Sequence, residues 1–244
     1  FNYLDALISE CIISSNNSAG VYISDNAKLR IYNSAINDNV ADLDRGSGIF
    51  AKNASLVIQA TEFTGNEVVA PHQYNAYGGA IWLENSEAVI IDCLFSGNTA
   101  VGSYSNRYGW GGAICAYNNT SLFVANSIFE HNIATGVGGG TGRGGAISTM
   151  ASSNLTVSDS SFIDNETAGS AGGRGGAIYS IEGTLNAVNC FFSGSRADYG
   201  SAIQAYTATI SNVTIVDANV GYNAIEITGI TLNSLLINSI IRGS

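Results

Sequence analysis

The chain has 244 residues, of which only 11% are charged, with 29 glycines, a single proline (Pro71) and a net charge of −10. With just two lysines, that balance argues against nucleic acid or an anionic membrane surface as partner. No apolar run reaches the roughly 18 residues of a spanning helix, and no stretch of about a dozen residues shows clean helical periodicity. The chain opens on Phe1, so any targeting segment is expected to have been removed or to lie outside it.

From the N-terminus, Cys11-Ile12-Ile13 is the first short apolar strand. Ala19-Gly20-Val21-Tyr22 and Ser47-Gly48-Ile49-Phe50 are weak copies of a signature that then appears in full as Gly-Gly-Ala-Ile at 78–81, 111–114, 144–147 and 175–178. The signature isoleucines Ile81, Ile114, Ile147 and Ile178 are 33, 33 and 31 residues apart. A second motif, an apolar residue followed three positions later by Asn, alternates with it at 63–66, 95–98, 129–132 and 162–165. Degenerate copies lie at 13–16, 36–39 and 192–195. Alternating strands such as Leu56-Val57-Ile58, Leu122-Phe123-Val124 and Leu155-Thr156-Val157 precede the second motif, and the signature fades through Ser201-Ala202-Ile203-Gln204 and Asn223-Ala224-Ile225-Glu226.

A near-fixed period of this size marks stacked units, none of which buries its apolar face alone. Three short strands per period predict an all-β, right-handed parallel β-helix solenoid of about eight coils and three short sheets, forming one domain over 1–244. Overlaid coils give apolar columns, as residues two apart on a strand share a face. One runs Val21, Ile49, Ile81, Ile114, Ile147, Ile178, Ile203, Ile225; another Ile36, Phe63, Phe95, Phe129, Phe162, Phe192, Ile215. The third runs Ile31, Ile58, Ile90, Val124, Val157, Ala187, Ile210. Asn33, Asp92, Asn126, Asp159, Asn189, Asn212 and Asn238 form a corner column three residues before the Phe column, where side-chain amides are expected to bond along the axis. Cys11, Cys93 and Cys190 share one position but lie three coils apart, about 14 Å at the β spacing. A disulfide needs Cα atoms within about 7 Å, so small buried free thiols are expected.

The paired signature resembles the repeats of the polymorphic outer-membrane proteins of chlamydiae, over roughly residues 19–195. The resemblance implies an extracellular or cell-surface passenger segment acting in adhesion, without a cofactor. Ser195 and Ala218 depart from the motif's Asn, and no membrane-barrel segment is present in this sequence.

Catalysis on a β-helix by a polysaccharide lyase or hydrolase needs clustered carboxylates, often with a metal or a basic side chain. Asp92 and Asp159 are separated in their column by Asn126, while Asp38, Asp164 and Asp217 sit two or more coils apart. His72 and His131 come from different coil regions, and His131 occupies a variable turn position. The expectation is a non-enzymatic protein with no catalytic residues, metal or cofactor; a carbohydrate-binding or polysaccharide-degrading β-helix is the alternative. A candidate ligand strip is Arg45, Tyr77, Trp110, Arg143, Arg174 and Tyr199, two residues ahead of the small-Ala-Ile part of each signature, where guanidinium and aromatic planes could stack and meet a glycan. The competing reading is that this strip covers the loop bases and needs no ligand. An outward column of Tyr22, Phe50, Trp82, Cys115, Ser148, Tyr179, Gln204 and Glu226 starts with three large aromatics, suggesting lateral packing by a loop, another chain or a glycan. Long Gly-rich loops at 101–110, 135–143 and 169–174 either cover a sheet face or display a surface.

Among the Asn-x-Ser/Thr sequons, Asn53, Asn118, Asn119 and Asn154 are expected in the exposed turn after the signature strand, as candidates for glycosylation. Asn16 and Asn165 are expected to be engaged by the backbone. The chain starts and finishes in motif register, which points to self-association along the axis or to flanking coils of the same chain.

Overall fold

The structure is a computed structural model that describes residues 4–42, 44–71, 74–217, 223–229 and 235–242. His72 and Ala218 lie outside the described residues. Every named element is a β-strand and every pairing is parallel between successive coils. The signature strands (Val21–Ile23, Ile49–Lys52, Ile81–Glu84, Ile114–Tyr117, Ile147–Met150) stack in one column, and the second strands (Asp5–Ser9 through Asn154–Ser158) in another. The third strands, from Ile12–Ser14 to Ile240–Arg242, form a nine-stranded sheet.

The three strand columns expected per coil are present, but the hydrogen bonding groups them differently. Ile178–Val188 and Ile203–Ser211 run through the first corner without a break, with an irregularity between Ser180 and Thr184, and join the first two columns into one 15-stranded sheet. The loops add two further ladders. A five-stranded one contains Glu67–Ala70, Thr99–Gly102 and Ile133–Gly136, and a three-stranded one joins Ala76–Tyr77, Gly109–Trp110 and Gly142–Arg143.

Corners follow from residue type. The corner column, including Ala60 where the Asn is missing, has φ between 44° and 56°, a left-handed conformation that Asn and Asp tolerate best after Gly. The first glycine of each full signature (Gly78, Gly111, Gly144, Gly175) has φ between 61° and 65°, and a Cβ there would overlap the carbonyl of the signature isoleucine. Only glycine fits.

The interior is a set of ladders. Phe63, Phe95, Phe129, Phe162 and Phe192 are fully buried and stack with centroids 4.6–4.9 Å apart and ring planes within 7°. The three apolar columns pair in the expected register, Ile81 on Ile114, Ile58 on Ile90, Phe95 on Phe129.

The axial amide ladder differs from the expectation. Corner side chains bond along the axis as expected only across three coils, Asn212 Nδ2 to Asn189 Oδ1 and Asn189 Nδ2 to Asp159 Oδ1, both 3.1 Å. The continuous ladder belongs to the Asn of the second motif. From Asn16 to Asn132 each Nδ2 donates to the Oδ1 of the Asn in the next coil at 2.7–3.0 Å, ending at Asn165 Oδ1. From Asn39 on, each Nδ2 also donates to the carbonyl of the apolar residue one coil back (Ile13, Ile36, Phe63, Phe95, Phe129). Asn39, Asn66, Asn98, Asn132 and Asn165 are fully buried. The carboxamide has two donors and a two-lone-pair acceptor, so this turn can be buried at no cost in unmade bonds. Ser195 replaces the Asn in the next coil, and its hydroxyl is buried without a partner.

The cysteines are free. Cys93 and Cys190 are buried as expected, and burial pushes both thiols up to about 11. Cys11 is exposed instead, because its coil is the first described one and has no neighbour on its outer side.

Candidate functional site

The strip anticipated from the spacing is one continuous register. Arg45 bridges Tyr77, Tyr77 pairs with Trp110, Trp110 with Arg143, Arg143 with Arg174 and Arg174 with Tyr199. The outward column pairs likewise from Tyr22 to Glu226. The turn at the signature glycines folds the first series over the second. The Arg45 guanidinium lies 4.7 Å from the Trp82 ring, and that of Arg143 lies 4.2 Å from Trp110, 4.5 Å from Tyr108 and 5.6 Å from Tyr179. Arg174 sits 5.6 Å from Tyr199.

The result is a second apolar cluster outside the barrel, built from Trp82, Trp110, Cys115, Met150 and Tyr179, with Phe50, Tyr77 and Tyr108 packed against it. Arginine suits a roof of this kind, because its weakly hydrated plane stacks on rings while its charge stays near water. Burial raises the pKa of Tyr77, and that of Cys115 as well. Burial first, and the neighbouring Arg174 second among the lowering causes, pulls the pKa of Arg143 below its ordinary value.

Of the three lateral-packing candidates, Tyr22 is 67% exposed, Phe50 is half-buried and Trp82 is buried. The Tyr22 and Phe50 rings stack at 4.7 Å, and the Trp82 ring lies 4.6 Å from that of Phe50, tilted by 37°. What covers Trp82 is the chain's own strip, so only Tyr22 and part of Phe50 present surface. Trp110 is buried too; Arg45, Tyr77, Arg143 and Arg174 are half-buried, and Tyr199 is exposed.

The sequons divide. Asn53 and Asn118 are half-buried in the turn, with φ of 50° and 54°, and Asn119 beside them is exposed. Asn154 is exposed but lies outside the turn: it opens the strand Asn154–Ser158, and its Oδ1 accepts from Thr184 N at 3.0 Å and Oγ1 at 2.7 Å. The preceding turn is made by Ala151 and Ser152, at φ of 52° and 63°. Asn16 and Asn165 are engaged by the Asn ladder.

One grouping goes beyond the expectations drawn from the sequence. A depression on the edge of the third strands is lined by His131, Ile133, Asp164, Glu166 and Arg196. His131 and Asp164 share the left-handed turn column, at φ of 54° and 50°, while Ile133, Glu166 and Arg196 pair across three coils. The signal that could have found it is the pair of offsets, two residues apart, from the Phe-x-x-Asn motif. Among the described residues, no group of three or more His, Cys, Asp or Glu side chains is placed to hold a metal ion.

A family model described as the right-handed β-helix region matches residues 2–220. The chain belongs to the right-handed β-helix family. No curated protein and no solved structure matches it. The match takes in the repeats and does not bear on their resemblance to those of the chlamydial outer-membrane proteins.

Proposed function

We propose that this β-helix is a non-enzymatic structural and adhesive segment, displayed extracellularly or at a cell surface, as the chlamydial-type repeat resemblance implies. The observation that carries the reading is the roofed ladder. One edge of the solenoid concentrates the long loops, the arginines and a second apolar cluster into a rigid strip running along the axis. Solenoids use such extended, stiff surfaces to engage large partners. The end coils carry exposed apolar side chains, among them Ile12, Leu236 and Ile240, and axial continuation by flanking coils or a second copy would cover them. Sedimentation and electron microscopy of the natural protein test that part, a dispersed monomer of this length counting against it.

The adhesive reading is tested by pairing two assays on the purified chain: attachment of chain-coated beads to cells or matrix, and release of new chain ends from acidic polysaccharides. Attachment without cleavage is expected. Cleavage abolished by Asp164→Asn would overturn it in favour of a second reading, a polysaccharide-degrading β-helix. The depression that gathers His131, Asp164, Glu166 and Arg196 is the observation favouring that alternative, since a carboxyl pair beside a basic group is what glycoside chemistry needs.

A further inference from the structure

Charge on the ladder is unevenly compensated. Arg45 has two counterions, with Nε 3.1 Å from Asp44 Oδ2 and Nη1 4.0 Å from Glu84 Oε2. The register replaces both further along. Gly142 and Gly173 take the place that Asp44 holds beside Arg45, and Ile181 and Tyr206, which follow the paired Ser180 and Ala205, stand one coil on from Arg143 and Arg174 where Glu84 stands one coil on from Arg45. Arg143 and Arg174 therefore form no ion pair among the described residues, which sets them apart from Arg45, and the buried Nε of each, like that of Arg45, has no hydrogen-bond acceptor. The nearest acid along this strip, Asp198, is engaged by the Gly173 amide.

Two adjacent, half-buried guanidinium groups repel one another and have lost part of their hydration, so leaving both without a counterion is costly. The deficit is local and specific, because the chain as a whole carries ten excess negative charges. Other unmade bonds lie beside it. Trp110, whose ring lies under Arg143, has its Nε1 buried without a partner. Ser148 and Gln204 flank Tyr179 in the outward column below, fully or nearly fully buried, with Ser148 Oγ and Gln204 Oε1 also unpartnered. These buried groups lie beneath the same stretch of the strip and leave it short of polar partners from below.

We propose that Arg143 and Arg174 form an anion site for the carboxylate or sulfate groups of an acidic glycan. A planar or tetrahedral oxyanion can span two guanidinium groups one coil apart, about 4.8 Å, and the exposed Tyr199 ring next along the ladder gives a sugar's C–H face a surface. A sparsely charged glycan suits this acidic chain better than nucleic acid, whose charge of roughly one per 1.7 Å would be repelled along most of the solenoid.

The proposal deepens the adhesive reading and rests on it, yet the two fail separately. Absence of glycan binding leaves attachment through another face standing, whereas polysaccharide cleavage removes the non-catalytic reading without touching the arginine pair. The experiment is calorimetric titration at low ionic strength with hyaluronan for carboxylate, the carboxylate-free and more sparsely charged keratan sulfate for sulfate, and plain dextran as the neutral arm. Proteins are wild type, Arg174→Gln, Arg174→Lys and Arg45→Gln, each checked for folding by circular dichroism. Wild type is expected to bind at least one acidic glycan and not dextran, the stronger arm naming the group recognised. Arg174→Gln should weaken binding about tenfold, the scale of one charge-assisted hydrogen bond, and Arg45→Gln by less than about twofold because that charge is already paired. Arg174→Lys keeps the charge but loses the fork, so an intermediate loss is expected, and it serves if the Gln variant does not fold. The proposal is overturned by no acidic-glycan binding, by equal binding of dextran, by preference for a single-stranded oligonucleotide, or by affinity unchanged in the folded Arg174 variants.

Discussion

Asn132→Ala is the sharpest test of how this solenoid holds itself together. In the native state Asn132 Oδ1 accepts from Asn98 N at 3.0 Å and Asn98 Nδ2 at 2.9 Å, while its Nδ2 donates to Asn165 Oδ1 and to Phe95 O, both at 3.0 Å. Removing the carboxamide deletes four buried hydrogen bonds. It leaves the Asn98 amide N–H and one Asn98 Nδ2–H without their partners in a fully buried turn, and takes from the Phe95 carbonyl the second of its two bonds, the other being in the strand ladder. Each orphaned group costs about 1–3 kcal/mol, so the loss is on the order of 4 kcal/mol, or about 8–16 °C in Tm for a chain of this size. The companion variant Asn16→Ala sits at the part-exposed end of the same ladder, where water replaces the lost bonds, and should cost about 1 kcal/mol or less. Urea unfolding gives the totals. Native-state hydrogen exchange locates them, because stability in a stacked-repeat chain is a sum of local and neighbour terms. Exchange should accelerate first in the coils carrying Asn98 and Asn165. The double variant Asn98→Ala/Asn132→Ala should be less damaging than the sum of the singles, since the two share bonds. A cost for Asn132→Ala no larger than that for Asn16→Ala, or loss of protection spread evenly over all coils, would refute the reasoning.

Phe129→Ala should cost about 3–5 kcal/mol through its cavity, with the effect again centred on the coils of Phe95 and Phe162, as mapped by the same exchange experiment. Gly144→Ala should cost more than about 1 kcal/mol, since it combines a φ of 65° with overlap on the Ile147 carbonyl, whereas Gly97→Ala, at a φ of 63° but with open space around it, bears the backbone strain alone; paired melts compare them. Thiol labelling of the native chain should modify Cys11 rapidly and leave Cys93, Cys115 and Cys190 unmodified until unfolding, read by mass spectrometry. Because Cys93 and Cys190 titrate near 11 in the folded chain against an ordinary 9.0, their contribution to stability is complete below pH 9 and is lost as pH rises from 9 towards 11. Urea midpoints across that range should fall, and fall less steeply in Cys93→Ala/Cys190→Ala.

Much of the architecture was determined by the sequence alone. A repeat of about 33 residues fixes which residues lie in one column, because parallel coils stack in register and each side chain meets its own counterpart. The Phe ladder, the signature Ile column and the full order of the strip from Arg45 to Tyr199 are all consequences of spacing. Spacing says nothing, however, about the angle at which one column turns toward another, or about where a loop runs after it leaves the coil. Those depend on long-range packing, and they decided that the arginine strip folds over Trp82 and Tyr179 and that Trp110 is buried. The same limit explains the two Asn columns. Both read as polar turn positions in the sequence, and only the tertiary structure shows that the second motif's carboxamide points inward, where every donor and acceptor must be satisfied, while the corner column faces water and is free of that demand.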